Sequence, residues 1–281
     1  MRTKSIITAI GAAVLLTACD VKDPIYETEH PEKGEVTVTT DWTATNTATP
    51  PSEGYTLKAG DYSKEVMTAE NTFNEYFIPG DYMLYAYNEP DYIDVNGTTA
   101  TANYTGGTLG WFYYGILPIT VKADSKHRFT VTMAQQVREL TLAIEPTGGT
   151  ADRIATITAT LSGVAGSYDM ADGTHGTASS IALTFTKQTT GDYAGKWTAT
   201  VRLLGVTGSV QKLTGAITFT GGTPTDIPLE SDLSAGLTTF NAEKNKPLTL
   251  DGGRVELQTE AGFTATINDW TKITGGTGIA D

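Results

Sequence analysis

The sequence has almost no thiol, little positive charge and no apolar run long enough to span a bilayer. One cysteine, Cys19, stands among 281 residues. An intramolecular disulfide and a cysteine-built metal site are therefore excluded. The three histidines, His30, His127 and His175, lie far apart in the chain. There is no HExxH, no GxSxG and no glycine-rich phosphate loop followed by lysine. Nineteen basic residues oppose 32 acidic ones, for a net charge of −13. No block of Lys and Arg is present to neutralise phosphates, which argues against nucleic acid as a partner, and none would attract anionic headgroups. These absences point away from an enzyme and call for no cofactor and no metal.

The apolar run Ile6 to Leu16 is too short for a transmembrane helix, which needs about 20 apolar residues. It follows Arg2 and Lys4 and ends in Leu16-Thr17-Ala18-Cys19. A positive start, a short apolar stretch and small residues before a cysteine make a bacterial lipobox. Residues 1–18 read as a signal peptide cleaved between Ala18 and Cys19, and Cys19 as the lipidated residue. Several acyl chains at that cysteine would bind a membrane stably where one binds marginally. Loss of residues 1–18 removes Arg2 and Lys4 and no acid, so the balance moves from −13 to −15. Attachment to a membrane then rests on lipid alone. The acidic stretch Asp20 to Glu29 has no apolar periodicity, and residues 19–34 read as a tether. Acidic residues just behind a lipidated cysteine resemble surface-export signals, which places the fold on the cell surface.

About fifty threonines and 30 glycines accompany the low charge. Threonine is β-branched and suits a half-exposed pleated surface, and glycine serves turns. Period-2 segments recur at Val36 to Trp42, Tyr82 to Tyr87, Ile119 to Val121 and Phe129 to Val131. A second series covers Leu140 to Ile144, Ile154 to Leu161, Ile181 to Phe185, Trp197 to Leu203, Ala216 to Thr220, Val255 to Leu257 and Phe263 to Ile267. Thr190-Gly191-Asp192 marks a hairpin tip. With no amphipathic helix of ten residues, the pattern predicts an all-β protein of β-sandwiches. The length favours two domains. Gln135 and Gln136 interrupt the apolar run from Met133 to Val137, which sets the boundary between 35–134 and 135–281.

Candidate sites are few. Asp91 and Asp94 are three apart and face opposite sides of a strand, a poor carboxylate pair. Asp169, Asp172 and Gly173 lack calcium-loop spacing and read as a turn. A Ser-His-Asp triad assembled across the fold is defined by geometry the sequence does not carry. Aromatic residues crowd the first half, ending in Trp111-Phe112-Tyr113-Tyr114. If that run is extended, Trp111 and Tyr113 share one side, a possible glycan-stacking pair. Core filling is the stronger expectation for such rings. Near the C-terminus Phe263, Ala265 and Ile267 alternate with threonines, as a strand lent to a neighbouring subunit requires. With Trp270 they are the candidate subunit contact, although a last strand completing its own sheet has the same pattern.

In order along the chain, the lipobox, His30-Pro-Glu-Lys-Gly34, Val36 to Trp42, Pro79-Gly-Asp-Tyr82 running into Tyr87-Asn88, Met133-Ala-Gln-Gln-Val-Arg-Glu-Leu140, Ala159 to Gly166 and Ile267-Asn-Asp-Trp270 resemble FimB-type fimbrial anchor lipoproteins of type V pili. The resemblance implies two transthyretin-like β-sandwich domains in tandem and a lipid anchor in the outer membrane. It also implies fimbrillin partners, joined by strand exchange. Stalk subunits of such pili resemble proteins cut after the first strand by an Arg-specific protease. No arginine occurs here between Arg2 and Arg128, so the first strand is expected to stay, with a cut at Lys33 or Lys58 left open. The competing expectation is a surface glycan-binding lipoprotein using Trp111 and its neighbours.

Overall fold

A computed structural model describes residues 32–222, 225–257, 265–267 and 270–273. The signal peptide and most of the tether, with Ala18 and Cys19, lie outside the described residues, as does Phe263. The described chain is mainly strand, its one α-helix being the single turn Ser234–Leu237. None of its helices is long and apolar enough to cross a membrane.

The first half builds β1 (Gly34–Asp41), β2 (Tyr55–Ala59), β3 (Tyr62–Val66), β4 (Glu70–Thr72), β5 (Gly80–Tyr87), β6 (Ile93–Asn96), β7 (Thr99–Ala102), β8 (Tyr113–Val121), β9 (Ser125–Thr132) and β10 (Ala134–Gln135). A three-stranded sheet runs β4-β1-β9 and a five-stranded sheet runs β10-β8-β5-β2-β3. Alternation along β1 and β5 turns Val36, Val38, Leu84 and Ala86 inward. There they meet Trp42, Leu57, Phe77, Ile119 and Met133 in one core. Two-residue turns at Gly60-Asp61 and Gly97-Thr98 close the β2–β3 and β6–β7 hairpins. Both glycines hold positive φ, which side-chain-bearing residues rarely adopt.

The second half builds β11 (Arg138–Thr147), β12 (Ile154–Asp169), β13 (Thr174–Lys187), β14 (Trp197–Leu203), β15 (Lys212–Phe219), β16 (Ile227–Asp232), β17 (Leu248–Glu256), β18 (Ala265–Ile267) and β19 (Thr271–Ile273). Their hydrogen-bonded order is β18-β16-β15-β12-β13-β14-β11-β17-β19. Strand β13 pairs with β12 over most of its length but with β14 only at Thr186↔Thr198 and Lys187↔Trp197. The path turns back at that corner, and residues from both arms share one core that includes Leu140, Leu142, Ile157, Phe185, Ile217, Leu229 and Leu250. Gly163 makes a bulge in β12, with φ 73°. A Cβ there would stand 2.3 Å from the Val210 carbonyl oxygen, so the bulge requires glycine.

The β6–β7 hairpin falls within the span expected for the first domain, yet β7 pairs with the end of β12 at Ser167↔Thr101, Tyr168↔Ala100 and Asp169↔Thr99. A third apolar cluster forms around this crossing from Tyr87, Ile93, Ala100, Leu109, Phe112, Val137, Tyr168, Met170 and Leu204. Burial of these rings joins the two halves by packing as well as by chain. Gln135 and Gln136 sit in the seam and are buried.

Candidate functional site

Four places carry the residues that the sequence singled out. The first is the seat of β1. It pairs antiparallel with β4 over Thr37–Thr39 and parallel with β9 in eight consecutive positions, Gly34↔Ser125 to Asp41↔Thr132. Val36 and Val38 are fully buried. The Thr40 and Tyr55 hydroxyls hydrogen-bond at 2.8 Å, and the Trp42 indole N–H donates to Thr40 Oγ1 at 2.8 Å. Removing such a strand would expose the whole first core.

The second place is an open groove of about 890 Å³ bordered by Pro51, Met67, Asp91, Trp111, Tyr113 and Arg202. Trp111 is half-buried, and the Arg202 guanidinium lies 4.2 Å from its ring centroid. One face of the indole is thus taken by a cation. Tyr113 is only 2% exposed. Its ring packs edge-on to Trp42 with centroids 5.5 Å apart, and its hydroxyl donates to Asn46 Oδ1 at 2.6 Å. The expected pairing of Trp111 with Tyr113 as a stacking platform therefore fails at Tyr113, which spends its ring on the core. Phe112 and Tyr114 both join the junction cluster, Phe112 fully buried there.

The third place was not anticipated. A cleft of about 390 Å³ at the seam is lined by Gln135, Gln136, Tyr168, His175, Asn241 and Lys244. Lys244 is buried. Its Nζ donates to Gln136 Oε1 at 2.6 Å and to the Leu204 carbonyl at 3.3 Å, and lies 2.9 Å from His175 Nε2. It also sits 4.9 Å from the Tyr168 ring centroid. Desolvation pushes the Lys244 amine down to about 7. Burial, and then the charge on Lys244, push His175 down to about 4. At neutral pH the imidazole is uncharged and its Nε2 can accept from the amine. Burial, with the Tyr114 contact adding to it, holds the Tyr168 phenol well above its ordinary value. Gln135 Nε2 donates to the carbonyls of Val137 at 2.8 Å and Lys244 at 2.7 Å. Its Oε1 accepts from Asn46 N at 3.0 Å. Arg138, also buried, donates to the carbonyls of Thr239, Phe240 and Lys246. The seam is therefore a satisfied polar lock, in which each buried donor finds an acceptor. The sequence held no local sign of it, because Gln136 and Lys244 are 108 positions apart.

The fourth place is the C-terminal end. Ala265 and Ile267 are buried in the second core, and β18 pairs parallel with β16. The Trp270 indole N–H donates to Ser231 Oγ at 2.8 Å, and Ser231 Oγ donates to the Ile267 carbonyl at 2.5 Å. Donating this strand to a neighbouring subunit would require β18 to leave its own sheet, whereas in place it stands at one end of the sheet path. The remaining candidates stay apart. Asp169 and Asp172 accept from backbone N–H groups of their own turn. His127 accepts from the Lys122 N–H at 2.9 Å and stacks on Phe129, while His30 lies outside the described residues. Among the described residues no three of His, Cys, Asp and Glu stand close enough to hold a metal.

The family model of the fimbrillin-A associated anchor proteins Mfa1 and Mfa2 matches residues 92–274. Among curated proteins none matches the chain. Of solved structures, an adhesin candidate from Bacteroides ovatus superposes with a TM-score of 0.59 at 17% identity, over 88% of this chain and 99% of that one. The fimbrial anchor protein Mfa2 from Porphyromonas gingivalis gives 0.52 at 15% identity, over 80% and 90%. A candidate cell adhesion protein from Bacteroides eggerthii gives 0.52 at 12% identity, over 88% and 97%. At these identities the likeness is one of fold.

Proposed function

The chain belongs to the fimbrillin-A associated anchor family, and we propose that it is a surface lipoprotein that holds a type V fimbria to the outer membrane through lipid on Cys19. In this reading fimbrillin subunits are its partners, and strand exchange is the means by which they join. The observation that carries the reading is the fully seated β1, paired on both edges. A stalk subunit that accepts a neighbour's strand must first vacate such a place. Here the strand lies directly downstream of the lipid-bearing tether, so cutting after it would sever fold from anchor. Retention of β1 and attachment at Cys19 require each other, and the lack of arginine between Arg2 and Arg128 fits both.

With its own strand in place, the first half has no vacancy for a donor strand. The join to fimbrillin then falls to the second half, where the short edge strands β18 and β19 lie at the two ends of the sheet path. Short edge strands leave backbone groups open to a partner. The test is affinity isolation of the protein from detergent-solubilised outer membranes, followed by identification of what accompanies it. Fimbrillin among the co-purifying proteins is expected. Its consistent absence from cells that assemble fimbriae would overturn the reading.

A further inference from the structure

The direction of β1 relative to β9 has a mechanical consequence, and we propose that the β1/β9 ladder is a shear clamp that carries tension between the tether and the rest of the molecule. The proposal rests on the anchor reading for the source of the load, but the clamp itself follows from topology. The tether joins β1 at Gly34. Strand β9 runs parallel to β1, in register from Gly34↔Ser125 to Asp41↔Thr132. Its last residue, Thr132, leads through Met133 and β10 directly into the second half. The backbone N–H of Met133 donates to the Asp41 carbonyl at 2.8 Å. Ala44, just past β1, borders the seam cleft with Gln136 and Lys244. The second half therefore lies beyond the C-terminal ends of both strands, and the tether enters at their N-terminal ends.

Tension between these points pulls β1 by its first residue and β9 by its last, in opposite directions along the strand axis. Ladder hydrogen bonds lie across that axis, so all eight pairs resist together. Had the strands been antiparallel, the same load would have opened the pairs one at a time. The other edge of β1 is fixed as well, by the three pairs to β4 and by reciprocal Gly34–Phe77 backbone bonds of 2.9 and 2.8 Å. Buried Val36 and Val38 must leave the core before β1 can slide. On the outer face Glu35 pairs with Lys126 at 3.2 Å, and Glu70 with Arg128 at 2.5 Å. Such exposed ion pairs add little; the ladder and the apolar burial hold the strand.

Single-molecule force spectroscopy tests this with the full chain produced without lipid, so that Cys19, its only cysteine, takes one handle. The second handle is placed at either end of β9, by Thr132→Cys or by Ala123→Cys, both exposed positions. The Cys19–Thr132 pair loads the ladder in shear, and the Cys19–Ala123 pair peels it from one end. Melting temperatures of both variants equal to that of the unsubstituted chain would establish that the handles leave the fold intact. At equal loading rate the first rupture force, set by the barrier to unfolding, is expected to be several-fold higher in the shear geometry. Equal forces, or a higher force for Ala123→Cys, would overturn the proposal. The measurement is made on unlipidated protein away from any membrane, so its outcome is independent of where the protein sits in the cell.

Discussion

Replacing Lys244 by methionine should remove a specific slope from the pH dependence of stability. In the folded protein the amine titrates near 7, against 10.5 for an exposed lysine. Between those values the unfolded chain holds a proton that the folded chain has released. Stability therefore rises with pH across that interval. At 1.36 kcal/mol per unit, raising the pH from 7 to about 9.5 should stabilise the wild type by roughly 3 kcal/mol through this group. For a chain of this size that corresponds to roughly 6 °C in melting temperature. The upper end of the interval is set by the buried tyrosines. Burial raises the phenols of Tyr104 and Tyr168, so above about pH 10 the unfolded chain loses protons first and stability falls again. Lys244→Met keeps the length of the side chain and the packing on Tyr168 but has no titrating group. It leaves Gln136 Oε1 without its donor, which costs about 1–3 kcal/mol and does not vary with pH. The assay is thermal denaturation of both proteins at pH 7.0, 8.0, 9.0 and 9.5. The difference in slope between them isolates Lys244 from every other group. Parallel curves would refute the reasoning, since a lysine that titrates normally in the folded state contributes no such slope.

If the anchor reading holds and β1 stays in the mature protein, mass spectrometry of the native protein should recover peptides that cross Glu35 to Lys58; a mature chain beginning after Trp42 would make it a processed stalk subunit. Deleting Asn268 to Asp281 takes away the Trp270–Ser231 bond and the β19 pairing with β17. If the end serves only its own sheet, the melting temperature should drop by several degrees. Loss of fimbrillin co-purification at unchanged melting temperature would instead make it a strand lent to a neighbour.

The strands that the sequence displayed are those whose partners and core impose strict alternation. Trp197–Leu203 coincides with β14, and Val36 to Trp42 lies within a residue or two of β1. Alternation was hidden where glycine breaks it. Strand β12 continues to Asp169, well past Leu161, because the bulge at Gly163 shifts the period and small residues follow. Strand β17 begins at Leu248, but Gly252-Gly253 separates its apolar start from Val255. Hairpin β6–β7 was illegible as part of the second sheet, since its pairing with Ser167 to Asp169 is a contact between distant segments with no local signature. The same holds for the polar seam. Gln135 and Gln136 read as an interruption of an apolar run, and that interruption is real, but they are buried because Lys244 and Asn46 come to meet them. Tyr113 shows the opposite failure. Alternation aligned it with Trp111, and both rings do pack against the first core and border one groove, but Tyr113 is 2% exposed with its hydroxyl bonded to Asn46, which leaves only Trp111 partly open.

The anchor role is tested most directly by where the protein is found when Cys19 is replaced. Cells expressing wild type and Cys19→Ser should be fractionated into outer membrane and soluble material, with fimbriae followed in parallel. The wild type should sediment with the outer membrane together with fimbrillin. The Cys19→Ser protein should be released, or remain unprocessed at precursor size, and fimbriae should detach from the cells. A Cys19→Ser protein still membrane-bound at the mature size, with fimbriae still attached, would contradict the anchor role.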